Sequence, residues 1–179
     1  MLQDIREVLI SKEAIEAKTK ELAERISRDY NGKDLLVVGV LKGSVIFASE
    51  LIKNITIPCE IDFMAVSSYG SFSETTGVVR ILKDLDSEIS GKHILIVEDI
   101  VDSGVTLSYL LNYLKTRNAS SVEIASLLTK PSRRKVDIDC KYVGFETPDE
   151  FLVGYGLDYA EKYRNLPFIG ILKREVYEK

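Results

Sequence analysis

Apolar and polar positions change period several times along this chain. From residue 11 to about residue 30, Ile15, Leu22 and Ile26 share one helical face and charged residues take the other. Ser11 is placed to cap that helix, and Asn31-Gly32 to end it. Residues 35–41 are continuously apolar, as a strand buried on both faces requires, and 44–55 suit a helix behind it. A second strand is predicted over 59–66, after Pro58. The stretch 67–77 that follows is long, polar and lightly aromatic, the character of a lid or a disordered segment. Further strands are predicted over 78–82, 94–97, 122–128, 142–145, 151–155 and 168–172. Behind the 94–97 run, Leu107, Leu110, Leu111 and Leu114 recur at i, i+3, i+4 and i+7, one face of a helix. Strands alternating with helices predict βαβ units and a mainly parallel sheet, whose ligands sit at the carboxyl ends of the strands.

Those strand ends carry the candidate chemistry. The run 94–97 leads straight into Glu98 and Asp99, and Asp102 then opens the small turn Ser103-Gly104-Val105-Thr106 before the helix. A helix N-terminus offers unpaired N–H groups and the positive end of its dipole to phosphate. Carboxylates beside it suit sugar hydroxyls or Mg²⁺. Each residue read alone would be an ordinary helix cap. Together, directly behind a buried strand, they predict a site for a phosphorylated sugar and its metal. Lys42-Gly43-Ser44 follows the first strand as a cation with exposed amides, suited to phosphate or pyrophosphate. Ser68-Tyr69-Gly70 follows the second, and Lys130 the 122–128 strand. Phe151, Asp158 and Arg164 lie in or beside a Gly-Tyr-Gly-Leu-Asp-Tyr stretch near the C-terminus.

Composition narrows the reading. The 179 residues suit one domain, 1–179, with a sizeable core. A net charge of −4 without a basic block argues against nucleic acid as the principal partner. Cys59 and Cys140 form no metal-spaced pair and are expected in or near the core, and the single His93 is read as incidental. The N-terminus lacks the layout of a signal peptide and no run is long enough to span a bilayer, so a soluble, cytoplasmic protein is expected, with no membrane partner.

Five motifs in order resemble the bacterial hypoxanthine-guanine phosphoribosyltransferases. They are Val-Leu-Lys-Gly-Ser at 40–44, Ser-Ser-Tyr-Gly at 67–70, Ile-Val-Glu-Asp-Ile-Val-Asp-Ser-Gly-Val-Thr-Leu at 96–107, Leu-Leu-Thr-Lys-Pro at 127–131, and Phe-Leu-Val-Gly-Tyr-Gly-Leu-Asp-Tyr at 151–159. The resemblance implies an α/β type I phosphoribosyltransferase fold, a mainly parallel central sheet flanked by helices with a small hood from terminal segments. It implies transfer of a phosphoribosyl group from 5-phosphoribosyl pyrophosphate to a 6-oxopurine, with Mg²⁺, in a homodimer or homotetramer.

By the same resemblance, Glu98 and Asp99 would bind the ribose hydroxyls and the Mg²⁺-bound sugar. Asp102, Ser103, Gly104, Val105 and Thr106 would cradle the 5′-phosphate, with Asp102 also the general base. Val105 stands where certain members have lysine. Lys42 and Gly43 would hold pyrophosphate, in a loop where the family often has a cis peptide, and Arg164 would grip the same group. Lys130 would donate to the purine 6-oxo group. Phe151 would stack on the base, and the Leu152 backbone would read its edge. Asp158 would serve a second Mg²⁺ through water or the base's 2-position. Ser68 and Tyr69 would close over the site. Nothing is carried over for residues 1–34.

Other classes fit less well. A phosphoribosyltransferase-fold regulator that binds phosphoribosyl pyrophosphate and nucleic acid would not need Lys130, Phe151 and Asp158. A receiver-like domain should carry its acid pair after the first strand. A dinucleotide oxidoreductase fails because Gly39 and Gly43 have the wrong spacing.

Overall fold

The computed structural model describes residues 1–68 and 79–178. Strand β1 (Ile5–Ile10) precedes helix α1 (Lys12–Asp29), strand β2 (Leu35–Leu41) and helix α2 (Val45–Asn54). Strands β3 (Glu60–Ser68), β4 (Val79–Lys83) and β5 (His93–Val101) follow, then helix α3 (Val105–Lys115) and strand β6 (Ser121–Thr129). Strands β7 (Tyr142–Glu146), β8 (Leu152–Val153) and β9 (Ile169–Leu172) and a short helix α4 (Arg174–Tyr177) complete the chain.

A six-stranded sheet has the order β4-β3-β2-β5-β6-β7, parallel throughout except for antiparallel β4 at its edge. The alternation along β5 explains its continuous apolar run. Leu95 and Val97 pack with Ile15, Leu22 and Ile26 of α1 and Phe47 and Leu51 of α2. Ile94 and Ile96 pack instead with Leu107, Leu110 and Leu114 of α3. Helices cover both faces, so neither face needs polar residues. The cap of α1 is the one its sequence requires: Ser11 Oγ accepts a hydrogen bond from the Ala14 amide at 3.2 Å.

The chain leaves β2 toward β3 on one side, and β5 leads to β6 and β7 on the other. The strand order therefore reverses between β2 and β5, the switch point where open α/β sheets hold their ligands. The hood is a separate antiparallel sheet, β1-β9-β8, built from the two terminal segments.

The structure changes several boundaries. Strand β5 does not stop ahead of the acids; it continues through Glu98 and Asp99 to Val101, because pairing with β6 runs on to Val101 opposite Thr129. The strand expected over 151–155 shrinks to Leu152–Val153, because Gly154 and Tyr155 turn into the left-handed region, with φ of 98° and 49°. Strand β1 carries no readable alternation, since its ladder with β9 is interrupted between Ile5 and Glu7 and again between Val8 and Ile10. His93 is structural, with Nδ1 2.8 Å from Ser121 Oγ. Both cysteines are half-buried against the core. Ser67 and Ser68 extend β3, whereas Tyr69, Gly70 and the rest of the expected lid lie outside the described residues.

Candidate active site

Two cavities open side by side at the carboxyl ends of the parallel strands. The first, of roughly 250 Å³, is lined by Leu41 and Gly43 after β2 and by Glu98, Asp99, Ser103, Gly104 and Thr106. The second, of roughly 390 Å³, is lined by Lys130, Phe151, Leu152 and Asp158, with Arg133, Glu150 and Tyr177 at its margin. Ile100 and Asp102 line both. One is hydroxyl- and amide-rich, the other partly aromatic, and a carboxylate stands where they meet.

In the first cavity, Gly104 rather than Asp102 or Ser103 takes the helix N-cap position, with a left-handed φ of 82°. Neither Asp102 nor Ser103 is thus consumed as the cap residue, although Ser103 Oγ accepts a 3.4 Å bond from the Val105 amide. The turn is pinned from behind. Arg134 Nε donates to the Asp102 carbonyl at 3.2 Å, and the amides of Lys135 and Val136 donate to the Ser103 carbonyl at 2.9 and 3.1 Å. Glu98 and Asp99 form the floor. Burial first, and then the adjacent Asp99 charge, hold the Glu98 carboxyl well above its ordinary range. Burial likewise pushes Asp99 up to about 6, against the pull of its backbone hydrogen bonds and of Arg164. Gly43 lies so close that a Cβ there would overlap Asp99 Oδ2. The Leu41–Lys42 peptide bond is cis.

In the second cavity, Lys130 is buried and donates from Nζ to the Glu150 carbonyl at 2.7 Å. Burial lowers its pKa, since the charged ammonium loses water there. Phe151 stacks on Tyr177 with ring centroids 4.7 Å apart, and Tyr159 meets it edge-on at 5.5 Å. Asp102 Oδ1 is buried without a hydrogen-bond partner among the described residues, while Oδ2 faces Arg133 Nη1 at 3.5 Å.

Arg164 donates to the Gly156 carbonyl at 2.7 Å and forms an ion pair with Asp158 Oδ1 at 2.9 Å. Glu98 and Asp99 line the first cavity and Asp158 the second, and no group of three His, Cys, Asp or Glu among the described residues could hold a metal ion.

Residues 8–160 match the family model of the phosphoribosyl transferase domain. Over 178 residues, 99% of each chain, the sequence is 54% identical to the hypoxanthine-guanine phosphoribosyltransferase of Bacillus subtilis. The chain belongs to the hypoxanthine-guanine phosphoribosyltransferases. The enzyme of that name from Streptococcus thermophilus is 53% identical over 177 residues, 99% of this chain and 98% of its own. A crystal structure of hypoxanthine phosphoribosyltransferase from Staphylococcus aureus superposes with a TM-score of 0.98 at 54% identity, covering 100% of this chain and 97% of that one. The type I phosphoribosyltransferase fold and the transferase class expected from the five motifs are thereby established, and the regulator reading is not favoured.

Sequence reasoning passed over three groups of this phosphoribosyltransferase site. Arg133 and Arg134 follow Lys130-Pro131 and brace Asp102, one at the carboxylate and one at the carbonyl. Their only signal was two adjacent cations just past a strand end. Tyr159, at the end of the same motif, and Tyr177, beyond β9, support Phe151. Glu161 bonds Arg164 three residues on and Lys42 across the fold, and no local pattern announces the second contact.

Proposed function

We propose that the phosphoribosyl group binds in the first cavity and the 6-oxopurine in the second, with the new bond forming beside Asp102. The observation that carries this is the shared wall. Asp102 alone among the carboxylates lines both cavities, and its buried Oδ1 has no partner among the described residues. The reaction is transfer from 5-phosphoribosyl pyrophosphate to hypoxanthine or guanine, giving IMP or GMP and pyrophosphate.

The amides and hydroxyls of 103–106 take the 5′-phosphate at the N-terminus of α3, where the dipole favours an anion. Lys42, the Gly43 amide and Arg164 hold the pyrophosphate. Glu98 and Asp99 accept from the ribose hydroxyls. Phe151 stacks on the purine and the Leu152 backbone reads its edge. As the C–O bond to pyrophosphate breaks, positive charge develops on the sugar and the buried acid floor stabilises it. Asp102 takes the imidazole proton as the purine nitrogen attacks. Ser68 and Tyr69 would close the site against water.

Mg²⁺ fits this donor set in company with the substrate. Glu98 and Asp99 offer hard oxygen ligands, but too few carboxylates gather here to hold the ion unaided. Glu98 and Asp99 would hold the ion together with the substrate, and it would supply charge neutralisation for the leaving group. Asp158 would serve a second ion through water or meet the base at its 2-position. The whole chain acts as one catalytic domain, in the cytoplasm and as a homodimer or homotetramer. Among the described residues no helix is long and apolar enough to cross a membrane.

The raised Asp99 pKa gives a pH prediction. Asp99 takes up its proton as pH falls through about 6, Glu98 is likewise raised by burial and by Asp99, and binding that needs the carboxylates ionised must expel the protons they hold. The KM for phosphoribosyl pyrophosphate should therefore rise below pH 6, by up to about tenfold per pH unit for each proton. Stability of the ligand-free protein moves the other way. A carboxyl whose folded pKa is raised is least costly below its unfolded pKa, and that advantage is lost as pH rises through about 6. Mg²⁺ with phosphoribosyl pyrophosphate should thus raise Tm more at pH 7.5 than at pH 5.5. An equal rise at both would refute the role given to the acid pair.

Lys130→Ala should remove the donor to the purine 6-oxo group. The KM for hypoxanthine and guanine should rise roughly tenfold or more, the scale of a lost charged hydrogen bond. Unchanged KM for both bases would sink the oxygen contact. The overall reading is tested by absorbance, offering hypoxanthine, guanine, xanthine and adenine separately with phosphoribosyl pyrophosphate and Mg²⁺. Turnover of hypoxanthine or guanine with adenine rejected is expected. Binding of the sugar pyrophosphate without turnover of any base would point to a regulator.

A further inference from the structure

Lys42 and Arg164 come from parts of the chain far apart in sequence, the loop after β2 and the segment between β8 and β9. A single carboxylate joins them. Glu161 Oε2 accepts from Lys42 Nζ at 3.1 Å, and Glu161 Oε1 accepts from Arg164 Nη2 at 3.4 Å. Each oxygen serves a different cation, the arrangement a bridging phosphate oxyanion would adopt.

The backbone is bent to put the carboxylate there. Ala160 and Glu161 both occupy the left-handed region, with φ of 50° and 62°, a conformation costly for residues bearing a Cβ. Local bonds hold it. Asp158 Oδ2 accepts from the Glu161 amide at 2.9 Å, Asp158 Oδ1 pairs electrostatically with Arg164 at 2.9 Å, and Tyr159 and Lys162 exchange backbone bonds at 3.1 and 3.0 Å. The turn thus presents Glu161 to both cations and Asp158 to Arg164 alone, while Arg164 Nε stays buried without a partner among the described residues.

We propose that Glu161 is an internal competitor for the pyrophosphate group, occupying Lys42 and Arg164 in the free enzyme and setting the affinity for phosphoribosyl pyrophosphate and pyrophosphate. The proposal rests on the assignment of those two cations to pyrophosphate. Substrate entry exchanges one anion for another, so the cations never face each other bare. When pyrophosphate departs, Glu161 retakes them, which weakens the product's hold. The residue touches no reacting atom; it tunes binding through the cations it releases. Lys42 and Glu161 are exposed and Arg164 is half-buried, so the effect is moderate and salt-dependent.

The test compares Glu161→Gln and Glu161→Ala with the unaltered enzyme at low and high ionic strength. Initial rates would give the KM for phosphoribosyl pyrophosphate and for hypoxanthine, and calorimetry the Kd for Mg²⁺-pyrophosphate. Both variants should bind phosphoribosyl pyrophosphate and pyrophosphate roughly three- to tenfold tighter at low salt, the scale of one or two exposed ion pairs. The gain should shrink at high salt, and the KM for hypoxanthine should not move. Unchanged or weaker binding of both anions would overturn the proposal. Lys42→Gln separates the two levels of inference. If it weakens anion binding while the Glu161 variants bring no gain, only the competitor role falls. If it leaves anion binding unchanged, the Lys42 assignment falls and the competitor role with it.

Discussion

Asp102→Asn is expected to lower kcat roughly 100- to 10,000-fold, the range over which a positioned general base acts, while phosphoribosyl pyrophosphate still binds. The amide is nearly isosteric, so the turn held by Arg134 at the Asp102 carbonyl and by Lys135 and Val136 at the Ser103 carbonyl should persist. The proton acceptor at the junction of the cavities is lost, together with the exposed ion pair to Arg133. Pre-steady-state rates combined with calorimetry of phosphoribosyl pyrophosphate would separate chemistry from binding. A variant with near-normal kcat would remove Asp102 from the base role. One that no longer bound the sugar pyrophosphate would instead make Asp102 a structural support of the phosphate turn.

Gly43→Ala is expected to cost roughly 100-fold or more in kcat/KM for phosphoribosyl pyrophosphate, the penalty for moving reactive groups by about an ångström. Its Cβ would overlap Asp99 Oδ2, on a carboxylate whose other oxygen already accepts from the Ile100 amide at 2.8 Å. Either the loop retreats, withdrawing the amide and Lys42 from pyrophosphate, or Asp99 turns out of the acid floor. Each outcome disables the first cavity and leaves the aromatic platform at Phe151 alone. Kinetics at varied phosphoribosyl pyrophosphate, with a melting curve to check folding, would decide it. A folded variant with unaltered kcat/KM would show that the close approach has no catalytic consequence.

How much of this site could be read from the chain differs element by element. The helix α1 and its cap at Ser11, the strands β2, β5 and β6 and the leucine face of α3 were legible because their burial is periodic or continuous over many residues. The strand end bearing Glu98, Asp99 and Asp102 was legible because its chemistry is contiguous. Strand β1 was not, because two irregularities in its pairing with β9 break the period-2 pattern that would betray it. The identity of the N-cap of α3 was also hidden, since Asp102, Ser103 and Gly104 can each begin a helix, and only the observed φ of 82° selects glycine.

The sequence by itself determined the βαβ core, the motifs at its strand ends and, through their order, the transferase family. These are local properties: each is written in a short run of residues whose polarity has a period or whose chemistry is adjacent. The tertiary structure alone decided that Asp102 stands between two cavities, that burial raises the pKa of Glu98 and Asp99, and that Gly43 must lack a side chain. It alone brought Glu161 to Lys42, 119 residues away along the chain. Burial, field and overlap depend on what folds back from elsewhere, and no window along the chain contains both partners of such a contact.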